Sequence, residues 1–352
     1  MPNWSKSMKQ TFEYYTVDPG TWKDNKQLKT VVSCEITRDA SVATLGSATI
    51  ETTEALGEGY VRVYLVTEQD SITEKFPLGT FLVQTPGLSF NGKHFTYNAD
   101  AYTPLIELKE KMPPIGYSIR KNQQIMANVF KIVRENCRAP VVREDDETRY
   151  PFNFVANADD TWLTFLTDYM KNAEFAFDLD EKGRILFAPI QDAASLQPIR
   201  TYDDGNSSIL YPEISMTRDL YGIPNAVEVS YSTDSGYYYA KVVNSSKNSP
   251  ISTVNRGREI VHRVTKPNLS GEPTNSQVQR YAKQTLRELS TIECKVSYTH
   301  GYYPSRPGDC VLLDYERAGI TDTKAKIISQ TIKCVPGCPV TEQAVYTTKL
   351  WG

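Results

Sequence analysis

The residues best equipped for chemistry lie in one short run, Glu144, Asp145, Asp146 and Glu147, bracketed by Arg143 and Arg149. Two carboxyl groups flanking a glycosidic bond can act as acid and base, so a cell-wall hydrolase has to be considered. That chemistry needs one carboxyl whose pKa is raised, usually by an apolar pocket. This run is contiguous and polar, and it falls where a loop is expected, so it reads as solvated surface.

Cysteine and histidine offer little more. The six cysteines are Cys34, Cys137, Cys294, Cys310, Cys334 and Cys338, too widely spread for a small disulfide scaffold. Cys334 and Cys338 are the close pair, separated by Val-Pro-Gly. A zinc site would want two further ligands at similar spacing, and the chain has only three histidines, His94, His262 and His300. Cys294 falls in phase with Ile292, Val296 and Tyr298, as a core residue of a strand does, and the others read as small hydrophobes near turns. His94 follows Gly92-Lys93 at an expected hairpin turn, His262 stands in a strand, and His300 precedes Gly301 at a strand end. All three are expected to be exposed or half-buried structural residues.

No nucleophile elbow, zincin pair, phosphate loop or dinucleotide fingerprint occurs. Gly57-Glu58-Gly59 has no helix after it and reads as a tight turn. Tyr237, Tyr238 and Tyr239 are consecutive, so in a strand they must point to both faces, and one face meets something other than water. No catalytic, cofactor-binding or metal-binding residue is assigned on these grounds, and no enzymatic activity or cofactor is expected.

The elements that would carry these residues are mostly strands. From Val31 the stretches TVVSCEIT, SVATLGSATIETTE, GYVRVYLVTE, FPLGTFLVQTP and KHFTYNADAY are β-branched and aromatic, separated by Gly, Pro, Asp and Asn. Val61, Val63 and Leu65 alternate with Arg62 and Tyr64, as a strand with one buried face would. Character changes near Pro104. Ile125, Val129, Ile132 and Val133 take helical spacing within Asn122 to Asn136. A second helix carries Trp162, Phe165, Leu166, Tyr169 and Met170, with Asp159 or Asp160 as its expected cap. A hairpin follows, Phe175, Phe177 and Leu179 turning at Asp180-Glu181-Lys182-Gly183 into Ile185 and Phe187.

Strands then return. Val227, Val229 and Tyr231 lead to a turn at Thr233-Asp234-Ser235-Gly236, and residues 245–257 read as a polar, flexible loop. A helix from Ser276 to Leu289 shows a capping-box pattern in Ser276 and Gln279, with Val278, Ala282, Leu286 and Leu289 as its stripe. TIECKVSYT, RPGDCVLLDY, KAKIISQTIK and EQAVYTTKLW complete the chain, with the turn at Pro307-Gly308.

At 352 residues, two or three domains are expected. Net charge is −3, with no whole-chain basic signal for nucleic acid. The runs Lys23 to Lys29 and Arg256 to Arg263 read as solvated surface. The start, MPNWSKSMKQTF, lacks a signal-peptide stretch, and no segment approaches the roughly 20 apolar residues that span a bilayer. Synthesis and folding in a reducing cytoplasm, without membrane insertion, are therefore expected.

The order of parts resembles the baseplate hub, or tail-associated structural protein, of phage tails and tail-like particles. FPLGTFLVQTP with NADAYTPLIEL looks like the end of the family's first barrel, and DTWLTFLTDYMKNAEFAFDLDEKGRILF like its insert helix and hairpin. IPNAVEVSY and RPGDCVLLDY are similar to strands of its second barrel.

The resemblance implies a mainly β chain with an α+β insert: two tail-tube-like β-barrels, a small α+β domain and a helical excursion. Residues 1–103 would form the first barrel, completed by strands within 201–243; 104–200 the insert; and 201–352 the second barrel, with the excursion at about 245–290. It further implies a homotrimer presenting six barrels as a pseudo-six-fold ring in the virion tail, assembled in the bacterial cytoplasm. Its partners would be the tail tube protein, the spike or tip protein and the surrounding baseplate proteins, with the tape-measure protein a further candidate. Sequence-specific nucleic-acid binding is not expected. The chain stops at Trp351-Gly352 directly after its last strand, which argues against a built-in lysin. The competing readings are a carbohydrate-binding or adhesin module using the tyrosines, and a peptidoglycan hydrolase using Glu144, Asp145, Asp146 or Glu147.

Overall fold

A computed structural model describes residues 2–90, 92–93, 95–233, 236–265, 267 and 274–351. His94 and the central turn residues Asp234 and Ser235 lie outside the described residues. The chain is mainly β and divides into two units: residues 1–214 with 297–344, and residues 215–296 with 345–352.

The first unit opens with β1 (Lys9–Val17), β2 (Asp24–Leu28), β3 (Val31–Asp39), β4 (Gly46–Thr52), β5 (Gly59–Gln69), β6 (Ile72–Phe90) and β7 (Phe95–Tyr102). They pair in the order β3-β4-β7-β6-β5-β1-β2. The first two strands precede the stretch where sequence alternation begins to read as β. In β2 the Lys-rich run is solvated as expected, yet it is strand, and it forms the end of that order. Lysine on an edge strand deters unwanted pairing.

Between these strands and the chain's later ones stands a compact α+β segment. It holds α1 (Ile106–Glu110), β8 (Ser118–Ile119), α2 (Ile125–Asn136), β9 (Phe154–Val155), α3 (Trp162–Lys171), β10 (Phe175–Leu179) and β11 (Ile185–Pro189). Its core packs Val129, Val133, Phe165, Leu166, Tyr169 and Met170, all at most 1% exposed. Each such side chain removed from water contributes about 1.5–3 kcal/mol. The α3 cap is Thr161, in a reciprocal box with Thr164, and not Asp159 or Asp160. Asp160 is occupied instead by the preceding turn, accepting from the Asn157 N–H at 2.7 Å.

The strands that follow are β12 (Pro198–Asp203), β13 (Leu210–Arg218), β14 (Ala226–Thr233), β15 (Gly236–Val243), β16 (Val261–Val264), β17 (Thr291–Gly301), β18 (Cys310–Tyr315), β19 (Ile320–Lys333) and β20 (Pro339–Lys349). The last long strands rejoin the first sheet, since β19 pairs antiparallel with β3. The pairing order then continues β19-β20-β17-β13, and β18, itself on β19, carries β12 in parallel.

In the second unit β14 pairs with β15 and, in parallel, with β16. Two helices accompany them, α4 (Thr253–Arg256) and α5 (Asn275–Leu289). Val278, Ala282 and Leu286 of α5 pack with Val227, Val229 and Ala240, the stripe expected from its spacing. Its cap is Thr274 with Gln277, one box earlier than Ser276 with Gln279. Both boxes exist in the sequence, and the earlier one lengthens the helix at its start. The stretch 245–257, expected to be flexible, is held by polar bonds. Asn244 Nδ2 donates to Ser249 Oγ at 2.8 Å, Asn255 Nδ2 to the Ser249 carbonyl at 2.8 Å, and Ile251 is fully buried. Such side-chain-to-backbone bonds order a loop that composition alone reads as loose.

Candidate functional site

The acidic run lies at the surface. Glu144, Asp145 and Glu147 are exposed, and Asp145 pairs with Arg143 at 2.8 Å with the two side chains 83% and 64% exposed. Asp146 accepts from the Thr148 N–H at 2.9 Å. Among the described residues, no group of three or more His, Cys, Asp or Glu is placed to hold a metal ion.

The tyrosine triplet divides as a strand requires. Tyr237 and Tyr239 are 68% and 50% exposed, while Tyr238 packs against the core under α5. His262 is exposed on β16. His300 departs from expectation: it is fully buried. The alternation of Ile292, Cys294, Val296 and Tyr298 along β17 carries on for one more step and places His300 on the same inward face.

His300 belongs to a buried polar cluster centred on Glu342, which is itself fully buried. Glu342 accepts from Tyr298 Oη at 2.6 Å, Ser305 Oγ at 2.7 Å and Gln330 Nε2 at 2.6 Å. His300 Nε2 stands 3.3 Å from the same carboxylate, and its Nδ1 faces the Gly301 carbonyl at 2.6 Å. Tyr202 lies over the ring with centroids 4.7 Å apart. Arg38 closes the far side, donating to Gln330 Oε1 and the Ser305 carbonyl at 3.2 Å each and to the Leu78 carbonyl at 2.7 Å. Burial pushes the Glu342 carboxyl up, but the donors around it outweigh that, His300 first, and hold it below its ordinary value. A charge so sealed joins β3, β17, β19 and β20; it does not meet a substrate.

A second polar joint docks the β10–β11 hairpin onto the first sheet. The Lys182 carbonyl at its turn accepts from Trp22 Nε1 at 2.8 Å, Thr80 Oγ1 at 2.9 Å and Arg62 Nη2 at 3.2 Å. Arg62 also pairs with Asp24 at 2.8 Å while only 3% exposed. The single buried face expected of β5 is therefore two: Arg62 and Tyr64 are buried as well, because β2 and the docked turn cover the second face. From the other side Arg306 pairs with Asp178 at 3.3 Å.

An exposed apolar cluster lies where β6 and β7 run on together. β6 pairs with β5 only as far as Val83, then continues past Pro86 with β7 alone on that side, through Leu88↔Tyr97 and Phe90↔Phe95. Leu88, Phe90 and Phe95 are 60%, 58% and 53% exposed, and the two phenylalanine rings stand 4.6 Å apart. Clustered exposed apolar side chains of this kind mark contact surfaces. The stretch expected to end at Pro86 runs on because Pro86 needs no ladder donor on a free edge. Asn91-Gly92, flanked by Leu88, Phe90 and Phe95, is the sequence signal for that extension.

No protein-family model and no curated protein sequence matches the chain. Solved structures do. A tail protein from Neisseria meningitidis MC58 superposes with a TM-score of 0.62 at 11% identity, covering 96% of each chain. The 43 kDa tail protein of prophage MuSo2 from Shewanella oneidensis gives 0.60 at 11% identity, over 95% of this chain and 98% of its own. The E. coli c3393 protein gives 0.50 at 12% identity, over 92% of this chain and 76% of that one. It is a component of the type VI secretion system, with structural similarity to the T4 tail proteins gp27 and gp5. At these identities the likeness is one of fold.

Proposed function

From a fold shared with phage tail proteins, we propose that this chain is a non-enzymatic structural subunit of a phage or phage-like tail. It acts as a baseplate hub, three copies forming a pseudo-six-fold ring that joins the tail tube to the tip or spike. The observation carrying this reading is coverage: 96% of the chain and 96% of a tail protein superpose, insert and strands together. The exposed ribbon of Leu88, Phe90 and Phe95 supports it, since a ring subunit must leave apolar surface for its neighbours. In this reading residues 104–200 decorate the outside and meet the surrounding baseplate proteins. The strands before and after them form tube-like barrels, 1–103 and 201–352, and the particle assembles in the bacterial cytoplasm.

Native mass spectrometry of the purified chain with electron-microscopic class averages tests the proposal. A trimer whose averages show a six-fold outline is expected. A chain that stays monomeric at high concentration, with no rings, would overturn it. A muralytic assay is expected to find no activity that Glu144→Gln or Glu147→Gln removes.

A further inference from the structure

Two cysteines face each other across the seam where the chain's late strands meet its early ones. The ladder between β3 and β19 pairs Lys333 with Glu35. The next residues along, Cys334 and Cys34, are thus opposed, and the Cys334 N–H donates to the Cys34 carbonyl at 2.9 Å. Opposed antiparallel residues stand roughly 4.5–5.5 Å apart between Cα atoms, inside the about 4.4–6.8 Å that a disulfide spans. Both are free, and they are 4% and 7% exposed. Directly opposed side chains point to the same face of the sheet, and both cysteines belong to one buried cluster.

Cys338 and the Tyr14 hydroxyl complete the cluster. The cluster lies just beneath the surface, since Val335, next to Cys334, is 43% exposed.

We propose that Cys34 and Cys334 are a modification site, a cross-strand dithiol that closes to a disulfide when it meets a low-molecular-weight disulfide. One cysteine sulfur attacks the reagent, forming a mixed disulfide and releasing one small thiol. The other then attacks the protein sulfur of that mixed bond and expels the second small thiol. Two protein thiols are oxidised, one reagent disulfide is reduced, and the two protein protons end on the released thiols.

The hydrogen bond from Cys334 and then burial keep the Cys34 thiol protonated well above the ordinary range, so closure of the folded chain is slow. The bond would staple the end of β19 to β3. The chemistry stands on this geometry and not on the tail reading, so failure of either leaves the other to be judged separately.

The full chain is incubated folded with oxidised glutathione, and in a second arm refolded in a glutathione redox buffer; remaining thiols are then alkylated and peptides mapped by mass. The expected product loses two of its six alkylatable thiols, is about 2 Da lighter before alkylation, and contains one linked pair, Cys34 with Cys334. Cys338→Ser keeps that link and Cys34→Ala abolishes it; mapping of the unmodified sequence decides the matter even where a variant fails to fold. A Cys334–Cys338 link, glutathione adducts alone, or six alkylatable thiols in both arms overturns the proposal.

Discussion

Glu342 is a fully buried carboxylate, and it remains there because Tyr298, Ser305, Gln330 and His300 all point at it. Its pKa is depressed in the fold, so its contribution is present above the unfolded value of 4.5 and is lost as pH falls through the lower, folded one. Glu342→Gln is expected to cost about 1–3 kcal/mol near neutral pH, because a buried donor aimed at the carboxylate is left unsatisfied. It should also flatten the acid limb of the stability curve. Urea unfolding at several pH values measures both effects, and an unchanged acid limb would show that the carboxylate is not what titrates. The site was half-legible. Glu342 sits in phase with Val340 and Ala344 along β20, so an acid on a core face could be read from the sequence. What covers it could not: Ser305 follows β17 and Tyr202 stands on β12, far from Glu342 along the chain, and only the folded sheet brings them together.

Between elements, the most exacting fit is the hairpin turn against β6. Gly183 has φ +73, and a Cβ there would stand 2.7 Å from Thr80 Cβ. Gly183→Ala is expected to destabilise by at least about 2 kcal/mol, combining left-handed strain with overpacking. Gly116→Ala is the control, since φ there is +77 with nothing within 4 Å, and it should show the strain alone. Equal losses in chemical denaturation would mean the turn is not clamped. At this scale the sequence was most readable where periodicity is local. The stripes of α3 and α5 and the β10–β11 alternation are visible because each side chain reports its own burial. The caps stand one or two residues from where the sequence places them, because several Ser, Thr and Asp residues compete and the packing of the next turn selects among them. β1 and β2 do not stand out within the β region expected over residues 1–103, because KQTFEYYTV and DNKQL mix polar residues into their strands.

For the whole molecule, the proposed ring would draw on burial rather than charge. A net charge of −3 over 352 residues gives neither a strong mutual repulsion nor a steering field. Leu88, Phe90 and Phe95 gather exposed apolar surface at one place, on a ribbon that has β7 as its partner. In the proposed ring, this ribbon lies against a second copy of the chain. Phe90→Ser combined with Phe95→Ser would then remove about 4 kcal/mol per contact, taking roughly 2 kcal/mol for each buried ring. That is roughly a thousandfold in the association constant. The folded subunit should hardly notice, because exposed substitutions usually stay within about 0.5 kcal/mol. The readout is therefore a split: thermal unfolding of the subunit unchanged, ring population collapsed at the same concentration. Rings that persist in the double variant would place the contact elsewhere. A subunit that loses both stability and ring would show that the two rings brace their own hairpin, and a ribbon needed only for folding is not an interface.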